Sequence, residues 1–237
     1  RLSDISAAVG VAQVAKLDAG DLAAVGTAAL RGLGVDAMAA LTTAQVAALT
    51  TAQAASISST QLAALTTAGL AAITSADIKA LSPSALASLN AEQVGALTST
   101  QLSAMSSAQI AALPTDPVSL GGLSTADVAN LSSLQVAALS GAQVASLTAT
   151  QLAAIETADI KALSTAALRA LSADQLSSLS ATQMAALTTA QVASLNADQL
   201  AGLSTTNLNA LGTAHFANLS AAQVAALTAA QVAKLET

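Results

Sequence analysis

Three kinds of residue in this sequence could do chemistry: one histidine, thirteen carboxylates and a large number of serine and threonine hydroxyls. A zinc or other transition-metal site needs several imidazole or thiolate ligands drawn together. His215 is the sole imidazole and the chain has no cysteine, so that donor set cannot be assembled. Acid–base work by paired carboxylates needs two acids in contrasting environments. The acids here are scattered singly, from Asp18 and Asp21 to Asp198, with no close pairing that repeats. A serine nucleophile would need a base, and no G-x-S-x-G occurs beside the single histidine. Gly32 and Gly34 lack the third glycine and the preceding strand of a dinucleotide loop. No catalytic, cofactor-binding or metal-binding residue set follows, and the chain reads as a non-enzyme. His215 reads as a helix-start residue and Phe216 beside it as a core residue.

Partners are bounded by composition. The net charge is −6 with no basic cluster, which excludes a phosphate-backbone footprint, and one phenylalanine gives no platform for stacked bases. No nucleic-acid partner is expected. Mean hydropathy is high at +0.65, yet Ser, Thr or Gln interrupts every stretch before a membrane span is reached. No membrane insertion is expected. The opening R-L-S-D-I-S lacks the apolar run of a signal peptide, so a targeting signal is expected outside this stretch.

The dominant feature is an internal repeat of eight residues. From Leu41 the chain reads LTTAQVAA, LTTAQAAS, ISSTQLAA, LTTAGLAA, ITSADIKA, LSPSALAS, with consensus L-[ST]-x-x-[QD]-[VLI]-A-A. Octads run over 9–112 and 123–234, separated by one ten-residue unit at 113–122, so 1–237 reads as a single repeat array. Asp116, between Pro114 and Pro117, falls in that unit and reads as a register insertion or kink. A second period lies on the first: the stretch 42–82 matches 124–164, which marks block duplication. The N-L-S sequons at Asn130 and Asn218 are of the kind that arises by chance in a repeat of this composition.

Each octad must be its own helix. Positions 1 and 6 are the constantly apolar ones, and their opposite parity would send them to opposite faces of a strand. In one continuous helix an apolar stripe repeating every eight residues would rotate by about 80° per octad and soon visit every face. The sequence carries the restart signal instead. Ser or Thr at position 2 is followed three residues later by Gln or Asp, as in Thr42 with Gln45, Ser106 with Gln109 and Ser124 with Asp127. That is the capping-box pattern. Pro83 at position 3, the first helical residue, agrees with it. Asp18 and Glu156 occupy the cap position itself, while Lys79, Lys161, Arg31 and Arg169 sit at position 7, so acids and bases follow the polarity of short helix dipoles. The expected helix covers positions 3 to 8 and the next position 1.

So short a helix is unstable alone and must gain order by stacking. Alanine at positions 7 and 8 is expected at the close contacts, and the aliphatics at 1 and 6 in the seam. Met38, Met105 and Met184 fall on those core positions, which leaves His215 as the sole imidazole for a haem, and no haem binding is expected. The fold class is therefore all-α, a solenoid of very short capped helices. Two octads per layer, in zigzag, is the favoured arrangement, giving a rod on the order of 110–140 Å.

The L-T-x-x-Q-V-x-A-[LI] string at 41–49 looks like the opening helix of repeats in transcription-activator-like effectors, but the second, base-reading helix is missing, so DNA binding is not implied. Over nearly its whole length the chain resembles the LTTAQVAA-type arrays of large proteobacterial surface or secreted adhesin-like proteins. The resemblance implies an extracellular or cell-surface location and a structural or adhesive role, and the chain reads as a rod, stalk or filament segment. Solenoids normally end in atypical polar caps, yet the last units, LSAAQVAA and LTAAQVAK, are ordinary octads, so the expectation is either a place in a longer array or self-association end to end. The alternative expectation is a module that binds ice or carbohydrate through the row of Ser and Thr hydroxyls.

Overall fold

The computed structural model describes residues 11–115 and 120–235. The expectation for Asp116 and Pro117 falls outside them. Among the described residues there are 27 α-helices of four to six residues, no strand, and one 3-10 turn at Leu120–Gly122 inside the ten-residue unit. The chain forms two compact units, 1–114 and 115–237, built by the same rule.

The helices start where the sequence places them. Thr42 has extended φ and ψ, its Oγ1 accepts from the Gln45 N–H at 3.2 Å, and Gln45 Oε1 accepts from the Thr42 N–H at 2.9 Å. The same reciprocal pair recurs at Thr50, Ser58, Asn90, Thr98, Ser106 and onward through Thr228. Pro83 opens its helix as expected. The helices end sooner than expected. Thr51–Ser56 stops at position 8, and Ile57, the next position 1, is extended at φ −65°, ψ 127°. Its N–H closes a tight last turn on the Ala54 carbonyl at 3.1 Å. Position 1 cannot stay helical because the residue after it must adopt the extended geometry of a cap.

Glu156 occupies a cap position without capping: it makes no side-chain bond at its helix start. Its counterpart in the earlier copy of the block, Thr74, accepts from the Asp77 N–H at 3.2 Å. Glutamate has one methylene too many to fold back on its own third N–H. Glu156→Thr is expected to raise stability by about 0.5–1 kcal/mol in urea unfolding.

Stacking departs from the zigzag. Within each unit helices pack on the third one after them, as Thr43–Ala47 on Thr67–Ala72 in the first unit and Gly141–Ala145 on Thr165–Ala170 in the second. Side-chain bonds between coils span 25 to 31 residues, more than three octads and fewer than four. Two octads per layer would require the chain to reverse at every link. The two-residue extended connection turns it by much less, so three to four helices are needed to close a coil. The rod length built on two-octad layers falls with that arrangement.

Burial follows the octad. Leu, Ile and Met at position 1 and the aliphatics at position 6 form the core, with Met38, Met105 and Met184 all inside it. Position 7 alanines such as Ala47, Ala55 and Ala63 are exposed, so they do not line the close contacts. The contacts are made by positions 8 and 3. A Cβ on Gly202 would lie 2.5 Å from the Ala173 Cβ, and one on Gly141 3.0 Å from the Ala170 Cβ. Gly202→Ala is therefore expected to cost about 1–3 kcal/mol by overpacking, and Ala173→Gly in the same chain should recover most of it. Gly34 meets nothing within 4 Å at its helix start, so Gly34→Ser should stabilise slightly. Thermal unfolding of the four proteins checks both statements.

Candidate functional site: a glutamine ladder

Position 5 is the residue that joins one coil to another. Gln45 uses its Oε1 for the cap of its own helix, and its Nε2 donates to the carbonyls of Val14 and Leu17, both at 2.8 Å. Gln53 reaches Leu22 and Val25, Gln61 reaches Leu30 and Leu33, and Gln101 reaches Leu70 and Ile73 in the same way. In the second unit Gln151, Gln183, Gln191, Gln199 and Gln231 repeat the pattern. The acceptors in these full rungs are a position 6 carbonyl 31 residues back and a position 1 carbonyl 28 back. The position 6 carbonyl also takes the N–H of the next position 1 residue, as Val14 does from Leu17 at 3.2 Å, and the position 1 carbonyl lies just past the helix end, beyond reach of its helical N–H groups. One amide therefore satisfies a helix start and a helix end in successive coils. Gln143 is completely buried and most of the others nearly so.

The capping-box pattern accounts for only the first of these tasks. A signal for the second was present: a capping box accepts Glu as readily as Gln, yet position 5 holds no glutamate anywhere in the array. Glutamate has no N–H to give the carbonyls of the earlier coil.

His215 fits the same slot. Its Nδ1 accepts from the Gly212 N–H at 3.0 Å and its Nε2 lies 2.8 Å from the Leu187 carbonyl, 28 residues back. The accepting Nδ1 fixes the tautomer with the proton on Nε2, so the ring offers one acceptor and one donor where the glutamine amide does. Asn207 makes a shorter rung to the Ser177 and Leu179 carbonyls, both at 3.0 Å. The three buried aspartates have no donor, and two of them invert the link. Asp77 accepts from Thr51 Oγ1 at 2.9 Å, and its equivalent in the second copy of the block, Asp159, accepts from Ser133 Oγ. Asp127 accepts from Ser124 Oγ at 2.6 Å within its own cap. Among the described residues every buried side-chain nitrogen and oxygen has a hydrogen-bond partner.

Other sequence candidates are dispersed. Phe216 is only half-buried, against the expectation of a core residue, and its helix Thr213–Ala217 has no buried residue. Position 6 side chains are covered by the coil that follows, and no later described coil lies over Phe216, Val224 or Val232. Gly32 and Gly34 are the end and start of neighbouring helices. Asn130 and Asn218 are exposed, and their side-chain amides donate to the Ala126 and Ala214 carbonyls. No group of three or more His, Asp or Glu is gathered as a metal site among the described residues, and no helix of the described residues is long and apolar enough to cross a membrane. A shallow open depression of about 650 Å³ lies beside Thr205, Asn209 and Lys234.

The solved structure of the leucine-rich repeat-containing protein LegL7 from Legionella pneumophila aligns with 14% identity and a TM-score of 0.25, over 77% of this chain and 69% of that one. No curated protein matches the chain. The family model for the ALTTAQ repeat matches four times, at 14–51, 70–107, 152–189 and 205–237, together more than half of the sequence. The chain belongs to the ALTTAQ repeat family.

Proposed function

We propose that this chain is a structural repeat protein, a rod, stalk or filament segment of an extracellular bacterial assembly that associates end to end. The observation that carries the reading is the ladder. The residue types that could do chemistry, His215 and the buried aspartates included, are engaged in caps and in links between coils. A stack held by one repeated bond pattern is quasi-one-dimensional, with energetics set by nearest-neighbour interfaces. The two faces of a coil differ: its position 5 side chains reach the coil before it, while its paired carbonyls and position 6 aliphatics meet the coil after it. An association of unlike faces does not close on itself and generates a filament. Sedimentation and electron microscopy over a hundredfold range of concentration test it. Growth of rods in length supports the reading, and rods of one length at every concentration count against it.

The Ser/Thr row supports a second reading as a carbohydrate- or ice-binding module. Position 2 hydroxyl residues such as Thr42, Thr50, Ser58 and Thr66 are exposed even while they cap. Glycan-array binding or thermal hysteresis that disappears on Thr→Val along one row would favour this reading over the filament.

A further inference from the structure

Beyond the first coil, the ladder is interrupted once across nearly a full coil. Gly69, Asp77 and Ala85 occupy three successive position 5 sites, between the runs Gln45, Gln53, Gln61 and Gln93, Gln101, Gln109. Gly69 and Ala85 have no side chain that could reach the carbonyls of the coil before them. Asp77 supplies no donor there and accepts a single bond from Thr51. The apolar seam is thinned at the same place, because position 6 of the octad beneath Ala85 is Ala54 rather than Val, Leu or Ile. Two hydroxyl bonds nearer the surface partly replace the missing rung: Ser59 Oγ donates to the Ser84 carbonyl at 2.9 Å and Ser88 Oγ to the Ser59 carbonyl at 2.8 Å.

The duplicated block supplies an internal reference. The equivalents of Asp77 and Ala85 are again Asp159 and Ala167, but Gly69 is matched by Gln151 and Ala54 by Val136. Gln151 makes its full rung, to the Leu120 carbonyl at 2.9 Å and the Leu123 carbonyl at 2.7 Å. The second unit therefore closes a seam that the first leaves with fewer buried bonds and less apolar surface. Local opening begins where buried contacts and inter-element bonds are fewest.

We propose that the seam between residues 67–88 and the coil before them is a built-in breakpoint, at which the first unit opens while its other coils stay stacked. Opening there uncovers Val46, Leu62 and the backs of helices Thr67–Ala72 and Pro83–Leu86 without unravelling the octads on either side. A stack with one weak seam yields at a defined place under load or heat. This holds whatever the array is attached to and does not depend on the filament reading.

Hydrogen exchange of the full chain, read by mass spectrometry, tests it. Amides of Thr43–Ala47, Thr51–Ser56 and Thr67–Ala72 are expected to exchange at least about tenfold faster than those of Thr125–Ala129, Ser133–Ala138 and Ala149–Ala154, and faster than those of Ala91–Gly95 in their own unit. Gly69→Gln with Ala54→Val should bring the two sets to within about threefold of each other. The mirror pair Gln151→Gly with Val136→Ala should speed the second set and leave the first alone, which keeps the test decisive if the first pair folds poorly. Equal rates in the natural chain, or rates that neither pair moves while circular dichroism stays helical, overturn the breakpoint.

Discussion

Gln183→Glu is expected to destabilise the second unit by about 3–5 kcal/mol, the range for an uncompensated buried charge. The substitution keeps length, shape and the acceptor oxygen that takes the Ser180 N–H at 2.9 Å, so the helix cap survives. What it removes is the Nε2 that donates to the Leu152 and Ile155 carbonyls at 3.1 and 2.7 Å. In its place stands a charged oxygen facing two carbonyl oxygens at a position only 2% exposed. Gln183→Ala takes the amide donor from the Ile155 carbonyl, while the Leu152 carbonyl keeps the Ile155 N–H, and it buries no charge, so it should cost about 1–3 kcal/mol. The ordering Glu worse than Ala is the diagnostic, since a pure capping role predicts the reverse. Burial raises the carboxyl's folded-state pKa above its unfolded value, so the variant's deficit is present at neutral pH. It shrinks as pH falls and the acid regains an O–H to donate. Urea unfolding of the two variants at neutral and mildly acidic pH checks both the order and its pH dependence. Gln175→Glu, at a half-buried rung, should fall well short of the Gln183 effect.

His215→Gln belongs to the same argument with the opposite expectation. The imidazole already stands in for the amide, accepting from Gly212 and meeting Leu187. Replacing it by the consensus residue should leave stability unchanged to within about 0.5 kcal/mol.

The local half of this fold was legible because its signals are local. Thr42 with Gln45, Pro83 and the opposite parity of positions 1 and 6 each lie within one octad, and each fixes where a helix starts or why it must stop. Nothing inside one octad states the angle at which the next one leaves. The number of helices per coil depends on that angle, so the zigzag expectation had no residue to stand on. Position 5 was half legible for the same reason: its oxygen works within its own octad, its nitrogen on the coil before. The absence of glutamate there was the readable trace. Position 7 misled because alanine at a packing contact and alanine facing solvent are the same letter. Much of the apolar composition is exposed alanine of this kind, which is how a chain of high mean hydropathy forms no membrane span among its described residues.

Deleting a whole octad and deleting one residue are expected to differ by more than any substitution. A full rung joins a position 5 to a position 6 and a position 1 at offsets of 31 and 28, four octads less one residue and four octads less four. Removing residues 179–186 shifts all later units by one full period. Each remaining glutamine then meets another position 6 and position 1 pair, and each aliphatic meets another seam. Removing Ala186 alone keeps nearly every atom, yet across the cut every later glutamine faces carbonyls one place out of phase. Side chains at position 7, exposed in the intact coil, are then carried toward the seam. Because a mismatched rung leaves buried acceptors at about 1–3 kcal/mol each, and several rungs cross the cut before the coil renews itself, the sum is comparable with the roughly 5–15 kcal/mol that holds a typical domain. The octad deletion should therefore melt cooperatively within a few degrees of the parent. The single-residue deletion should lose the cooperative transition of the second unit while the first unit retains its own. Circular dichroism melts, with hydrogen exchange to separate the two units, measure both outcomes. Equal damage from the two deletions would mean that the coils are held by unspecific apolar contact and that the ladder does not set their register.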